Sequence, residues 1–496
     1  MSTYDQFLTL VRESNLLSSI EALLDWDSET FMPPAGLAAR AEQLALVATL
    51  AHQRRTDPRL GDLLAALEGR SEDPLVAANL REVRRTYDRA VKIPSDLVSR
   101  IARASALAKD AWGKARADND FPAFAPHLEE LLDLKRQVAD LVGFAGERYD
   151  ALLDEYEPGM TSAEVARVFD ALREPLSGFV RRLTGSTKRP DSSLLRRTFP
   201  RPAQETFARR LAEAIGFDFN AGRLDVSKHP FCSGLHPGDV RLTTRYYEDF
   251  LSPSVFGVLH EAGHGLYEQG LPVEHAFTPL GQAASLGIHE SQSRMWENFV
   301  GRSRDFWEGF YPEAAAAFPG ALGDVPLDAF YGAINTVEPS FIRVEADEVT
   351  YNLHIILRFE LERELISGRL AVADVPSAWN DRVRNLLGIV PPDDRQGCLQ
   401  DIHWSMGAFG YFPTYALGNL YAAQFFAAAT REIGDLAALV RRGEFRPLLD
   451  WLRRKIHCHG QRFRAGELVR QVTGSTLSIQ PFLDYARAKF SPLYGL

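Results

Sequence analysis

The strongest chemical signal in the chain is five residues long: His260-Glu261-Ala262-Gly263-His264. On a helix, positions i and i+4 lie about 40° apart around the axis, one above the other on the same face. Two imidazoles placed this way can converge on one cation, and the carboxylate beside the first points toward the same cavity. A zinc ion held there lowers the pKa of its water to about 7. Glu261 then stands where the general base of a hydrolysis is needed. The plain alternative is a surface helix that happens to carry two histidines and a glutamate. Against it, half of the twelve histidines fall between His229 and His289.

A catalytic zinc usually takes three protein ligands and keeps one position for water. A third histidine six residues beyond His264 is excluded, because that position is Gly270. A glutamate from a following element is the other common solution, and Glu268, Glu274, Glu290 and Glu297 are the candidates. Glu268 lies one turn beyond His264 on the same helix, which suits a supporting or solvent-facing role. Glu274 sits in a proline-containing turn. Glu290 leaves room for a helix end, a loop and an antiparallel return. Spacing alone does not separate it from the others.

The elements that must position these groups are mostly helical. Apolar residues recur at three-to-four spacing over 4–24, 38–51, 74–92, 96–118, 121–142, 162–183 and 203–215, and again over 252–270, 283–300, 336–367, 413–432, 435–443, 446–458 and 464–472. Ser252 and Pro253 suit a cap and first turn for the helix that carries the motif. Gly263 and Gly265 are poor helix formers and call for a close approach by substrate or a neighbouring helix. Short segments at 228–232 and 239–247, separated by Gly234, Pro237 and Gly238, predict a hairpin or pair of strands just before the motif. Proline and glycine at 185–203 mark a weak break in what is otherwise expected to be one domain over 1–496. The fold class expected is all-α with one small β element near the site.

The chain has 496 residues and a formal net charge of −10, which argues against a nucleic-acid binder that works by neutralising phosphates. Cys232, Cys398 and Cys458 are far apart and odd in number, so no disulfide framework is implied, as suits a reducing cytoplasm. The first residues lack the basic start and apolar run of a secretory signal. No apolar stretch reaches the roughly 18 residues of a membrane span. A cytoplasmic protein without nucleic-acid or membrane partners is expected.

Several further motifs fall in a telling order. They are His229-Pro230-Phe231, Asp239-x-Arg241-x-Thr243, the metal motif, and His289-Glu290-Ser291. Then come Ile342-Arg343-Val344-Glu345-Ala346-Asp347-Glu348 and Gly397-x-x-Gln400-Asp401-Ile402-His403-Trp404, with Trp26-Asp27-x-Glu29 near the start. With these the chain resembles the carboxypeptidase Taq family of metallocarboxypeptidases along essentially its whole length. The resemblance implies an all-helical, deep-grooved fold similar to angiotensin-converting enzyme and neurolysin. It implies Glu290 as the third metal ligand, a homodimer in the cytosol, and removal of single residues from peptide C-termini. Zinc is the expected metal, although cobalt or manganese could bind the same ligands.

A carboxypeptidase must grip a free C-terminal carboxylate, for which a guanidinium is the planar two-pronged partner. Arg343 is the first candidate, with Arg241 and Arg245 behind it. The developing oxyanion needs donors. His403 and Tyr415 are candidates by analogy with related helical zinc peptidases, with Tyr411 able to replace Tyr415. His229 and Asp239 either line the groove, where the strand-like element could pair with an extended peptide, or brace the loop. Glu345, Asp347 and Glu348 could hold Arg343 or support a ligand imidazole. His457-Cys458-His459 reads as structural, since adjacent helix positions point apart. Trp26, Asp27 and Glu29 carry no evident chemistry. Two rival readings are an oligopeptidase or endopeptidase with the same metal chemistry, which needs no carboxylate clamp, and a non-enzymatic helical scaffold that retains a metal.

Overall fold

A computed structural model describes residues 2–496. Helix makes up 69% of the chain and strand 4%, so the all-α expectation with a small β element holds. The chain forms two compact units, each assembled from three separated segments. The first takes residues up to Ala90, Pro190–Asn335 and Tyr421–Thr476; the second takes Val91–Arg189, Thr336–Leu420 and Leu477–Leu496. One passage between them, at Arg189 and Pro190, falls inside the proline-rich break at 185–203.

In the first unit, the motif lies on the helix Ser252–Glu268. Pro253 occupies its first turn as anticipated, but Ser252 is the first helical residue rather than the cap. Ser254 does the local bonding instead, donating its hydroxyl to the Leu251 carbonyl at 2.9 Å. A second helix, Leu286–Arg294, starts at Ser285, whose side chain accepts from Ile288 N at 3.1 Å. It continues as a π-helix over Met295–Val300.

The two glycines of the motif helix have separate reasons. A Cβ on Gly263 would lie 2.7 Å from the Gln292 carbonyl oxygen and from Ser293 Cα, so the missing side chain lets the two helix backbones meet. A Cβ on Gly265 would strike Phe217 and Leu242 side chains, the latter in the sheet beneath. Two substitutions on this one helix should therefore act in opposite directions. Gly257→Ala meets only Thr244 Oγ1 at 3.9 Å and should stabilise by up to ~1 kcal/mol through helix propensity. Gly263→Ala should lose about 1–3 kcal/mol, because backbone cannot yield as a side chain can. Urea unfolding of both variants against the parent checks the signs.

Three strands, rather than a pair, precede the motif: β1 (Gly222–Val226), β2 (Cys232–His236) and β3 (Asp239–Thr244). β3 is central, parallel to β1 and antiparallel to β2. Residues 228–231 are loop, not strand. Both sides of β3 are thus occupied, so pairing of this element with an extended peptide would fall to an edge strand, β1 or β2. On β2, the Leu235 carbonyl accepts Ser19 Oγ at 3.1 Å from the long helix Thr3–Thr30.

In the second unit, the helix expected over 336–367 begins only at Tyr351 and runs to Ser367. Pro339 disfavours helix before it. The Asp347 side chain accepts from Val349 N, Thr350 N and Thr350 Oγ1, at 2.9, 3.0 and 2.7 Å, and so starts the helix late. Arg343 consequently sits on a single 3₁₀ turn, Arg343–Glu345. Helices at Pro58–Leu67, Arg304–Ala317, Val375–Leu387 and Gln480–Tyr494 were not anticipated.

Candidate metal centre

His260 and His264 project from one face of the helix Ser252–Glu268, and Glu290 meets them from Leu286–Arg294. One ligand atom from each of the three lies within 4.8 Å of the others; among the described residues no other such group of three forms. Glu290 Oε2 stands 3.7 Å from His260 Nε2 and 3.3 Å from His264 Nε2. A tetrahedral zinc with bonds of about 2.0–2.1 Å separates its ligand atoms by roughly 3.3–3.4 Å, so two nitrogens and a carboxylate oxygen fit such an ion.

The surroundings orient these groups. His260 Nδ1 faces Glu297 Oε2 at 2.9 Å, which leaves Nε2 with its lone pair turned to the cluster. Arg294 donates Nε to Glu290 Oε1 at 2.7 Å and Nη1 to Glu297 Oε2 at 3.1 Å. Burial alone would raise both carboxyl groups, but Arg294 and the imidazoles outweigh it. Glu290 is held well below the usual carboxylate range and Glu297 is brought down to about 2. Glu261 differs: burial pushes it up to about 7, with His260 only partly opposing. It is a carboxyl group poised to exchange a proton near neutrality.

Of the four glutamates left open by spacing, Glu290 enters the cluster. Glu297 instead backs His260, and Glu268 faces His289 Nε2 at 2.7 Å. Gly270 is filled from outside: a Cβ there would lie 2.2 Å from His457 Nδ1, so the His457 ring excludes any side chain at that position. His457 is fully buried, and its Nε2 meets Gln292 Oε1 at 3.0 Å.

Asp239 and Arg241 pair with each other at 3.0 Å on both prongs, and the Arg241 guanidinium lies 4.2 Å from the Trp26 ring centroid. Asp27 pairs with Arg40 at 2.6 Å. The Trp26 motif therefore braces the sheet against the first helix. Arg245 lies over Tyr247. His229 is exposed on its loop, where its carbonyl accepts Ser227 Oγ at 2.7 Å. Thr243 Oγ1 accepts from Phe231 N at 2.9 Å and so ties that loop to β3.

A second cluster belongs wholly to the other unit. Arg343 is 5% exposed. It donates Nε and Nη2 to Asp401 Oδ1 at 3.0 and 2.8 Å, and Nη1 to Tyr351 Oη at 2.7 Å. Asp401 Oδ2 accepts from Arg358 Nε at 2.7 Å, and Gln400 Oε1 accepts both Arg343 N and Arg358 Nη2. Burial opposes ionisation of Asp401, yet the two guanidinium groups hold it far below the usual range. Two buried cations thus share one carboxylate. His403 Nε2 meets Tyr415 Oη at 3.2 Å, and the Tyr411 ring packs on both. The buried Glu362 accepts from Trp404 Nε1 and Gly410 N, each at 3.0 Å, fixing the loop between.

The acidic residues after Arg343 do not hold it. Asp347 caps a helix, and Glu348 pairs with Lys489 and Tyr485. Neither faces an imidazole of the cluster, whereas Glu297 faces His260. Arg358 and Tyr351 escaped the sequence reading, since an arginine inside an apolar helical run gives no sign of its burial.

Burial brings His403 and His457 each down to about 3, with nearby arginines adding to the effect. Unfolded, each titrates near 6.5. Between those values the unfolded chain binds the extra proton. The contribution of these two histidines to stability is therefore complete above about pH 6.5 and falls as pH drops toward 3, by about 1.4 kcal/mol per pH unit for each. Thermal melts of chelator-treated protein from pH 6.5 to 4.5 should show a shallower loss for His457→Gln than for the parent.

An H-E-x-x-H helix backed by a glutamate-bearing second helix in a mostly helical chain defines a metallopeptidase. The profile of the carboxypeptidase Taq (M32) metallopeptidase family matches residues 6–490, and the chain belongs to that family. It is 51% identical to thermostable carboxypeptidase 1 of Thermus thermophilus over 100% of this chain and 99% of that protein. Carboxypeptidase 1 of Bacillus subtilis is 40% identical over 100% and 99%. The crystal structure of the M32 carboxypeptidase from Deinococcus radiodurans R1 superposes with a TM-score of 0.97 at 40% identity, covering 100% of both chains. The protein is a metallocarboxypeptidase, a hydrolase of peptides that works with a divalent metal.

Proposed function

We propose that the chain removes residues one at a time from peptide C-termini, with His260, His264 and Glu290 holding zinc and Glu261 as general base. The observation that carries this reading is the trio of ligand atoms at the spacing a tetrahedral ion needs, with the buried Glu261 carboxyl group next in sequence to His260. A zinc ion there would supply a Lewis acid that acidifies water and polarises the scissile carbonyl. Glu261 takes a proton from the attacking water and passes it to the leaving amine nitrogen. Arg343 binds the terminal carboxylate. Three of its five N–H groups point at Asp401 and Tyr351, leaving one on each terminal nitrogen for a two-pronged grip. Two guanidinium groups over one carboxylate leave a buried positive charge, which an anionic substrate end would neutralise. His403 and Tyr415 are the candidate donors to the oxyanion; while they are bonded to each other, His403 Nε2–H donates to the Tyr415 hydroxyl, whose own hydrogen is left for the oxyanion.

An endopeptidase would have no use for that charge, and a scaffold would have none for Glu261. Among the described residues no helix is long and apolar enough to cross a membrane, and a cytoplasmic location fits the three free cysteines. We assign the whole chain to one domain, because both units need three separated segments. A homodimer has a candidate face in Leu16, Ile20, Leu46 and Leu50, exposed on the helices Thr3–Thr30 and Leu37–Arg55. The test of function is a mass-spectrometric time course on mixed peptides. Ladders shortening from the C-terminus, stopped by chelator and restored by zinc, are expected. Internal cuts, or undiminished cleavage after thorough demetallation, would refute the reading.

A further inference from the structure

The two histidines of the metal motif are supported differently, and the second support has no counterpart in the motif itself. His260 leans directly on a carboxylate. His264 Nδ1 instead meets another imidazole, His289 Nδ1, at 2.5 Å. The far nitrogen of that ring, His289 Nε2, meets Glu268 Oε1 at 2.7 Å. The rings of His264 and His289 lie 4.5 Å apart, and Tyr267 packs against His289 from its other side at 5.4 Å. All four residues are at most part-exposed, with side-chain exposures of 14% for His264, 16% for His289 and 17% for Glu268.

Hydrogen-bond polarity allows one self-consistent arrangement when His264 Nε2 offers its lone pair to a cation. Its Nδ1 then carries the hydrogen and donates to His289 Nδ1, and His289 Nε2–H donates to Glu268. A carboxylate that accepts at the far end favours this arrangement over its reverse. A separate feature concerns the space that the Glu268 carboxylate occupies. Gly234, on β2, faces the Glu268 carboxylate so closely that a Cβ would lie 2.3 Å from Glu268 Cδ and Oε2. The sheet residue that would block the carboxylate is the one lacking a side chain.

We propose that His289 and Glu268 are positioning residues that act through His264, setting its tautomer and ring orientation for metal binding, with Gly234 keeping the space for Glu268. The proposal rests on the metal-site reading above. It makes the histidine beside Glu290 part of the ion's support rather than part of the substrate site, and it gives Glu268 a function that its place on the motif helix did not reveal.

The test measures zinc dissociation constants by competition with a chromophoric chelator, using demetallated full-length protein and its variants. Loss of such a support weakens metal binding by about 10–100-fold. Glu268→Gln keeps an acceptor and should fall at the low end. His289→Phe removes the connection and should fall at the high end. The double variant should bind no more weakly than His289→Phe alone, because both act on one chain of contacts. Gly234→Ala alters no polar group, yet should weaken zinc as Glu268→Gln does and add nothing to it. Glu274→Gln serves as a control that leaves affinity unchanged. Cobalt(II) absorption spectra, which report ligand geometry, should shift in Glu268→Gln and Gly234→Ala but not in the control. If His289→Phe does not fold, the glutamate and glycine variants decide the matter alone. Affinity in Glu268→Gln within twofold of the parent, or additive losses in the double variants, would overturn the proposal. Absence of zinc binding by the parent chain, by contrast, would overturn the metal-site reading itself.

Discussion

Replacing Glu261 with glutamine is expected to lower kcat by about 10³-fold or more while one metal ion per chain stays bound. The side chain keeps its size and its place on the helix, so His260 and His264 are left undisturbed. What disappears is a group able to take a proton. Glu261 is only 6% exposed, and burial has already brought its carboxyl up to about 7. General-base catalysis contributes about 10²–10⁴-fold, and the same carboxylate is asked to return the proton to the leaving amine. The loss should therefore sit in the upper half of that range. KM should change little, because what is lost, the acceptance and return of a proton, acts in the transition state and not in substrate binding. Steady-state kinetics on a short peptide, with elemental analysis of the same sample, separates the two quantities. Turnover at the parent rate would remove Glu261 from the mechanism, and loss of metal would show that its role is structural.

The second large effect is expected from Arg343→Ala. Removing one partner of a buried charge pair costs about 2–5 kcal/mol. In kcat/KM on a peptide with a free C-terminus, that is a loss of about 30-fold to several thousandfold. The same peptide with an amidated C-terminus should be a poor substrate for the parent and no poorer for the variant, so that discrimination between the two collapses. Arg343→Lys should recover only part of the difference. An ammonium cannot span Asp401, Tyr351 and a substrate carboxylate together, as the planar fork can. The fold should survive either change, because Arg358 still neutralises Asp401 at 2.5 Å. A preference for free over amidated ends that persists in Arg343→Ala would place the carboxylate grip elsewhere.

Both predictions use residues whose types were visible in the sequence, but the arrangement that gives them force was not equally visible. The i, i+4 spacing of His260 and His264 is a local property. Helix geometry alone brings those side chains together, and the periodicity around them was enough to place the helix. The small β element was partly legible from the alternation in 239–247, of which 239–244 forms the strand. Its third strand was not, since β1 joins β3 in parallel through a pairing that no hairpin turn announces. The late start of the helix at Tyr351 is masked in the sequence by an apolar period that continues through 336–350. Asp347 and Pro339 carried the contrary signal.

By itself the sequence determined the chemistry on offer: two imidazoles on one helical face, a carboxylate beside them, acidic candidates downstream and a largely helical chain to hold them. These follow from short-range geometry, which one stretch of residues fixes without help. Tertiary structure decided how the glutamates divided their work. Glu290 joined His260 and His264, Glu297 turned to His260, and Glu268 turned to His289. It also decided that Arg343 would be locked by Asp401 and Arg358 rather than by the acids next to it in sequence. The physical reason is the same in each case. Which acid faces which base depends on where two backbones cross, and Gly263 sets that crossing through contacts with residues almost thirty positions away.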